Sequence, residues 1–325
     1  MTRFSEALRR LMLASVVLGL GLSAYATTAA AEEALKVGKS VPQAFGFVPL
    51  DVGVRYNIFT KYGVAVEILN FGGAPALNQA LAAGSADIGL NSGADMALIV
   101  KGLPTKAVAA MAGAPLEITL VIGADSPIKT VADLKGKSVA VSSLTSLTGW
   151  LVAELSRQQG WGADGIKRVS ISQVSGYLPA LLTHQVDGIT IDVSSAFNFE
   201  RQGKGNLLLK FGDYVTDFHQ YVISATDTLI ANRPNVIRSF LKGWFETIAF
   251  MRANKDKAVA VAADVQHVDP DIAGQSYDIM MRTLSDNGRF NPKAVATLAR
   301  SYVELGTLDK EPDMKTLYTE EFLPK

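Results

Sequence analysis

Residues 64–90 read VAVEILNFGGAPALNQALAAGSADIGL, and this stretch decides the fold. Val64 to Leu69 has the composition of a strand, and Phe71-Gly72-Gly73 follows it as a glycine turn. Ala76 to Ala83 consists largely of good helix formers and stops at Gly84, a residue suited to the left-handed cap of a helix. Asp87 to Leu90 is then a short buried strand. A helix that joins two strands through loops of a few residues returns the chain to the end where it started. The strands are therefore expected to pair in parallel, which makes the fold class α/β.

Working outward, Leu35 to Gly38 reads as a further strand, Val41 to Pro49 as an irregular loop, and Leu50 to Tyr62 as a helical stretch ended by Gly63. The same grammar returns downstream. Ala180-Leu181 precedes Asp187-Gly188-Ile189-Thr190 at the spacing by which Ala80-Leu81 precedes Asp87-Ile88-Gly89-Leu90. This is either the mark of two similar lobes or the general look of a helix running into a buried strand. The strand Ile118 to Ile122 gives way to the turn cluster Asp125-Ser126-Pro127, which sets one boundary, and a second lies near Tyr221 to Thr228. Between them stand a short helix at Val131 to Leu134, a strand at Ser138 to Val141 and a helix from Gly149 to Gln159. Pro234 opens a long helix whose apolar positions Val236, Ile237, Phe240, Leu241, Trp244, Phe245 and Ile248 form one stripe, expected to pack on the first lobe. Tyr318 to Leu323 is expected to dock on the surface. The expected division is a discontinuous first lobe of residues 32–122 and 226–325, and a second lobe of residues 123–225.

Arg3, Arg9 and Arg10 precede an apolar run from Leu11 to Ala24, and Ala29-Ala30-Ala31 forms a small-residue cleavage site. Residues 1–31 therefore read as a secretory signal peptide, placing the mature chain in the periplasm. The sequence contains 0 cysteines, which excludes disulfides, thiolate metal sites and a cysteine nucleophile. Lys+Arg and Asp+Glu both number 31, so no basic excess exists to hold nucleic acid. Of the three histidines, His184, His219 and His267, none is at metal-ligand spacing to another. His219 lies near the second boundary, where it could reach a cleft. Neither a G-x-S-x-G elbow nor a phosphate-binding loop is present, so no catalytic residue, metal or cofactor is expected.

Four stretches resemble one known family. They are Gly53-Val54-Arg55-Tyr56-Asn57-Ile58-Phe59-Thr60-Lys61-Tyr62-Gly63-Val64, then Asn78-Gln79-Ala80-Leu81-Ala82-Ala83-Gly84-Ser85-Ala86-Asp87-Ile88-Gly89, then Thr130-Val131-Ala132-Asp133-Leu134-Lys135-Gly136-Lys137-Ser138-Val139-Ala140-Val141, and finally Asn232-Arg233-Pro234 through the long helix to Asn254. The family comprises the substrate-binding proteins of nitrate, sulfonate and taurine ABC importers, and it includes binders of the thiamine pyrimidine precursor. The resemblance implies a type II periplasmic-binding-protein fold, two α/β lobes joined by two crossover strands with the ligand in the cleft. It also implies a monomer that closes on a small molecule and delivers it to a permease in the inner membrane. The ligand expected from it is a small organic anion of the sulfonate, taurine or carboxylate type. A thiamine-pyrimidine precursor is the alternative, as are a ligand sensor on the same fold and, further off, an enzyme on that fold. The second-lobe loop has Leu144-Thr145-Ser146-Leu147 where the family commonly has a Gly-Ser pair, so the ligand class stays open.

In open α/β sheets the ligand lies beyond the carboxyl ends of the strands, where loops lead into helix N-termini. The loops so placed supply the candidate ligand-binding residues: Gln43, Phe45 and Phe47, then Gly73 and Ala74, Asn91 and Ser92, and in the second lobe Ser143, Thr145, Ser146 and Thr148. The two phenylalanines would offer flat apolar contact. The small polar residues would either cradle an anion at helix ends or serve as ordinary N-caps. Asp192 and Ser194 complete the set. Asp192 either accepts from a ligand amine or hydroxyl or caps the helix that follows, and if it faces the pocket it disfavours a bare inorganic anion. Tyr177 and Trp150 are either aromatic walls or packing residues.

Overall fold

A computed structural model describes residues 32–325, and the signal peptide expected over residues 1–31 lies outside them. The chain runs through β1 (Glu33–Lys39), α1 (Val48–Arg55), β2 (Val64–Asn70), α2 (Ala74–Ala82), β3 (Ile88–Ser92), α3 (Ala97–Val100) and β4 (Thr105–Ala112). There follow β5 (Ile118–Gly123), β6 (Ser138–Val141), α4 (Leu147–Gln158), β7 (Lys167–Ser170), α5 (Tyr177–Leu182), β8 (Gly188–Asp192), α6 (Val193–Arg201) and β9 (Gly205–Lys210). The last part comprises β10 (Tyr221–Thr226), α7 (Asp227–Asn232), α8 (Pro234–Ala253), α9 (Lys255–Gln266), α10 (Pro270–Met280) and α11 (Pro292–Glu304).

The strands form two five-stranded sheets, in the orders β2-β1-β3-β10-β4 and β7-β6-β8-β5-β9. Parallel pairing holds for β1 with β2 and β3, and for β6 with β7 and β8. One strand in each sheet is reversed: β10 runs antiparallel to β3 and β4, and β5 antiparallel to β8 and β9. Each of these is the strand on which the chain arrives from the other sheet, so it enters from the opposite end. The chain passes between sheets over residues 113–117 and 211–220, ahead of the turn clusters from which the boundaries were read. β5 thus belongs to the second sheet and β10 to the first.

The two sheets repeat one pattern down to single hydrogen bonds. Asp87 donates its N–H to the Lys36 carbonyl at 2.9 Å and accepts the Lys36 N–H on Oδ2 at 2.9 Å, pinning β3 to β1. Asp187 does the same with Ser138, both bonds 2.8 Å, pinning β8 to β6. The preceding turns also match, with Ser85 N–H to Ala80 O and Gln185 N–H to Ala180 O both at 2.9 Å. The sequence echo between these segments is therefore a structural one.

α8 starts at Pro234 and buries Val236, Ile237, Phe240, Leu241, Trp244 and Ile248 against the first sheet and α1, with Phe245 half-buried beside them. The stretch Leu50 to Tyr62 is not one helix. Asn57 takes a left-handed φ of 53°, Ile58 bonds back to the Gly53 carbonyl, and the chain resumes as a 3-10 turn over Phe59–Tyr62 before Gly63 at φ 72°. The terminal segment docks as a short parallel bridge, Tyr318 beside Ala107 of β4, with Phe322 buried. A second apolar cluster joins the sheets. It takes Ala107, Ala110 and Val222 from the first, Leu120, Ile122 and Val139 from the second, and Trp150 of α4 with Leu298 and Tyr302 of α11. Among the described residues no helix is long and apolar enough to cross a membrane.

Candidate functional site

The ends of β1, β6 and β8 and the starts of β5 and β10 converge on a cavity of about 480 Å³. That volume suits a small organic molecule. Val41, Gln43, Ala44 and Tyr221 line it from the first sheet, with Gln266 and Val268 from the end of α9 and beyond. Ile118, Ser142, Thr148, Val174, Tyr177, Thr190, Ile191, Asp192, Ser194 and Ser195 line it from the second, and Glu117 sits on the passage between sheets. The helix α6, whose Ser194 lines the cavity, meets α10 where the Ser194 and Ser276 hydroxyls are 2.7 Å apart.

Of the residues expected from sequence, Gln43, Thr148, Asp192 and Ser194 lie on this wall, as does Tyr177. Phe45 and Phe47 do not: both are fully buried in the core beneath it, Phe45 edge-on to Tyr277 and Phe47 tilted on Tyr221 at 4.7 Å. Trp150 is likewise a core residue, stacked on Phe218. Gly73 and Ala74 begin α2 away from the cavity, with Gly73 at φ 140°. Ser92 caps the 3-10 turn Gly93–Met96 together with Asp95, and Asn91 donates to Asn78. Ser143, Thr145 and Ser146 belong to the loop entering α4 without reaching the wall. His219 is interior, its Nε2 accepting from the Asn291 N–H at 2.9 Å beside Phe290, and burial pushes the imidazole down to about 4.

The hydroxyls of the second-sheet loop answer one another. Ser146 Oγ accepts the Gly149 N–H and the Ser143 N–H, and Thr148 Oγ1 accepts the Ser142 N–H. Asp192 caps α6, taking the Ser195 N–H at 2.9 Å and the Ser195 hydroxyl at 2.6 Å, while still facing the cavity. At both helix starts, then, the chain's own oxygens occupy N–H groups that an anion would use, and at α6 the occupant is itself negative.

Glu117 is the residue that sequence reasoning missed. Only 2% exposed, it accepts the Phe45 N–H on Oε1 at 2.5 Å and the Gln220 side chain on Oε2 at 3.4 Å. Burial, and after it the charge of Asp192, push its carboxyl up to about 7, against the pull of the Tyr221 hydroxyl and the Phe45 and Gly46 N–H groups. Gly46 is required here, because a Cβ at that position would stand 2.5 Å from the Tyr221 ring. Gln266 donates from Nε2 to the Gln43 carbonyl at 3.2 Å, which leaves its buried Oε1 without a partner. None of the lining residues is Lys, Arg or His. No sequence motif surrounds Glu117, Gln266 or Tyr221; they come from three distant parts of the chain.

The model of the family described as NMT1/THI5 like matches residues 45–258. No curated protein sequence matches the chain. Among solved structures, the periplasmic aliphatic sulphonate binding protein SsuA from Escherichia coli is similar with a TM-score of 0.75 at 20% identity, covering 88% of this chain and 92% of that one. The alkanesulfonate-binding protein SsuA from Xanthomonas axonopodis pv. citri, bound to MOPS, gives a TM-score of 0.70 at 15% identity, covering 86% of this chain and 95% of its own. The desulfurization enzyme DSZB shares the fold at a TM-score of 0.65 and 16% identity, covering 89% and 97%. The fold is thus that of the periplasmic binding proteins, one that also serves an enzyme.

Proposed function

From the premise that this chain belongs to the NMT1/THI5-like family, we propose that it is the periplasmic solute-binding component of an ABC importer. In this reading the halves built on the two sheets are lobes hinged at residues 113–117 and 211–220. They close on one small organic molecule, and the closed form is what a membrane permease recognises. The observation that carries the reading is the cavity itself, whose wall is shared between the two sheets and the passage joining them. A ligand that touches both sides is fully satisfied only when they are together, so binding draws the pair closed.

The ligand is a donor-bearing organic molecule in this reading. A plain sulfonate or carboxylate would meet Glu117 and Asp192 with no lysine or arginine among the described residues of the wall, and helix ends already capped by the chain. A zwitterion, or an aminopyrimidine of the thiamine-precursor type, brings N–H groups that these acceptors can take. The test is a thermal-shift panel of alkyl sulfonates, taurine, carboxylates, amines and aminopyrimidines, followed by calorimetry and small-angle scattering on the hits. One ligand per chain, a raised melting temperature and a smaller radius of gyration are expected. Turnover of a bound compound, or saturation with no change in radius, would end the transport reading.

A further inference from the structure

We propose that the cavity selects a ligand with a cationic head, an ammonium or amidinium group, held by Glu117 and Asp192. The inference rests on the solute-binding reading and names the ligand chemistry for the same site.

Three observations converge on it. First, Glu117 and Asp192 both line the cavity, in neighbouring positions: Ile118 pairs with Asp192 in the β5–β8 ladder, and the Val193 N–H bonds the Glu117 carbonyl at 2.8 Å. Second, among the described residues no positively charged side chain lines the wall, so none of them gives the pair a counter-charge there. A buried carboxylate without one is costly, and a cation supplied by the ligand would remove that cost only in the complex. Third, and independent of the acids, Gln266 lines the same wall, and its buried side-chain oxygen has no partner among the described residues. Its orientation is fixed, because the amide NH₂ must face the Gln43 carbonyl. Glu117 and Asp192 offer acceptors on the wall and ask for a donor. Tyr177 and Tyr221 add aromatic faces, which attract cations and also cover an apolar body.

The alternatives are weaker on the same grounds. At pH 8, above the value of about 7 to which burial raises Glu117, a neutral donor would leave both carboxylates uncompensated, and an anion would add a third negative charge to two.

The experiment compares single-ring molecules bearing a cationic, neutral or anionic polar group on the wild-type protein by calorimetry at pH 8: benzamidine, benzyl alcohol, benzenesulfonate and the neutral donor 4-aminopyrimidine. Benzamidine is expected to bind at least about tenfold more tightly than the other three. E117Q and D192N should each reduce that preference to within about threefold, and Q266L should weaken benzamidine with less effect on the sulfonate. The wild-type comparison needs no variant to fold. Equal affinities, a tighter sulfonate or aminopyrimidine, or no benzamidine binding at 10 mM would each overturn the cationic assignment. If a non-cationic compound nonetheless contracts the protein in scattering, the solute-binding reading survives and this inference alone falls. If no compound of any charge contracts it, the solute-binding reading falls.

Discussion

Single residues here act through close fit and buried charge, and both make quantitative demands. Gly46 is a case of fit: G46A would drive a methyl group into the Tyr221 ring and tilt the Phe47–Tyr221 pair beneath the cavity. It is expected to destabilise the fold by about 1–3 kcal/mol and to weaken ligand binding, read by urea unfolding and calorimetry. His219 is a case of charge. Its folded pKa is depressed to about 4 by burial, so below the ordinary histidine range the unfolded chain binds a proton that the folded chain refuses. Its contribution is complete above pH 6.5 and is lost as the pH falls toward 4. The stability gap between wild type and H219Q should therefore shrink by up to about 3 kcal/mol over that interval. A gap that stays constant with pH would show that the ring is charged in the folded state. The residue scale was also where the sequence was least legible. Asp192 and Thr148 could be placed because they begin helices, whereas Glu117 follows Pro115 and Leu116 in a segment with no periodic or capping pattern. Its significance comes from three-dimensional neighbours that share no sequence spacing with it.

At the scale of elements, legibility followed periodicity and punctuation. Pro234 and an unbroken apolar stripe mark α8 almost to its ends, and Gly84 marks the end of α2. β4 is not legible in the sequence because TKAVAAMA has neither alternation nor bulky β-branched content; it is nearly all buried, flanked by β10 on one side and the terminal segment on the other. Phe45 and Phe47 lie in the core and not on the cavity wall expected from sequence, because their loop tightens into a 3-10 turn leading directly into α1. The contact between α4 and α11 yields a prediction of its own. Trp150 stacks on Phe218 and donates to Glu304 at 2.7 Å, while Arg157 reaches Glu304 and Arg300 reaches Glu154 at 3.3 and 3.2 Å. W150A should cost about 3–5 kcal/mol of stability, because it empties a fully buried site shared by elements of both sheets. W150F should cost less, since it keeps the stacking and loses the hydrogen bond. Equal losses in the two variants, measured by denaturant unfolding, would place the energy in the bond rather than the packing.

On the scale of the whole molecule, the apolar cluster that joins the sheets and the cavity between them play opposite parts. The cluster includes Leu120, Ile122, Ala110 and Val222 and packs the two sheets together, so under the solute-binding reading any closure on a ligand is expected on the cavity side, where α6 meets α10. Hydrogen exchange should accordingly show residues 107–111 and 119–122 equally protected with and without ligand, while residues 41–47 and 190–195 gain protection on binding. Uniform gains across both sets would mean that the joint itself loosens in the free protein. The interleaving of strands has a further consequence, for synthesis. The second sheet is built from one continuous run, β5 to β9, but in the first sheet β4 is separated from β3 by β10, a strand made more than a hundred residues later. The half whose translation starts first is therefore the last to finish folding, and the place between β3 and β4 stays vacant until most of the polypeptide has left the ribosome.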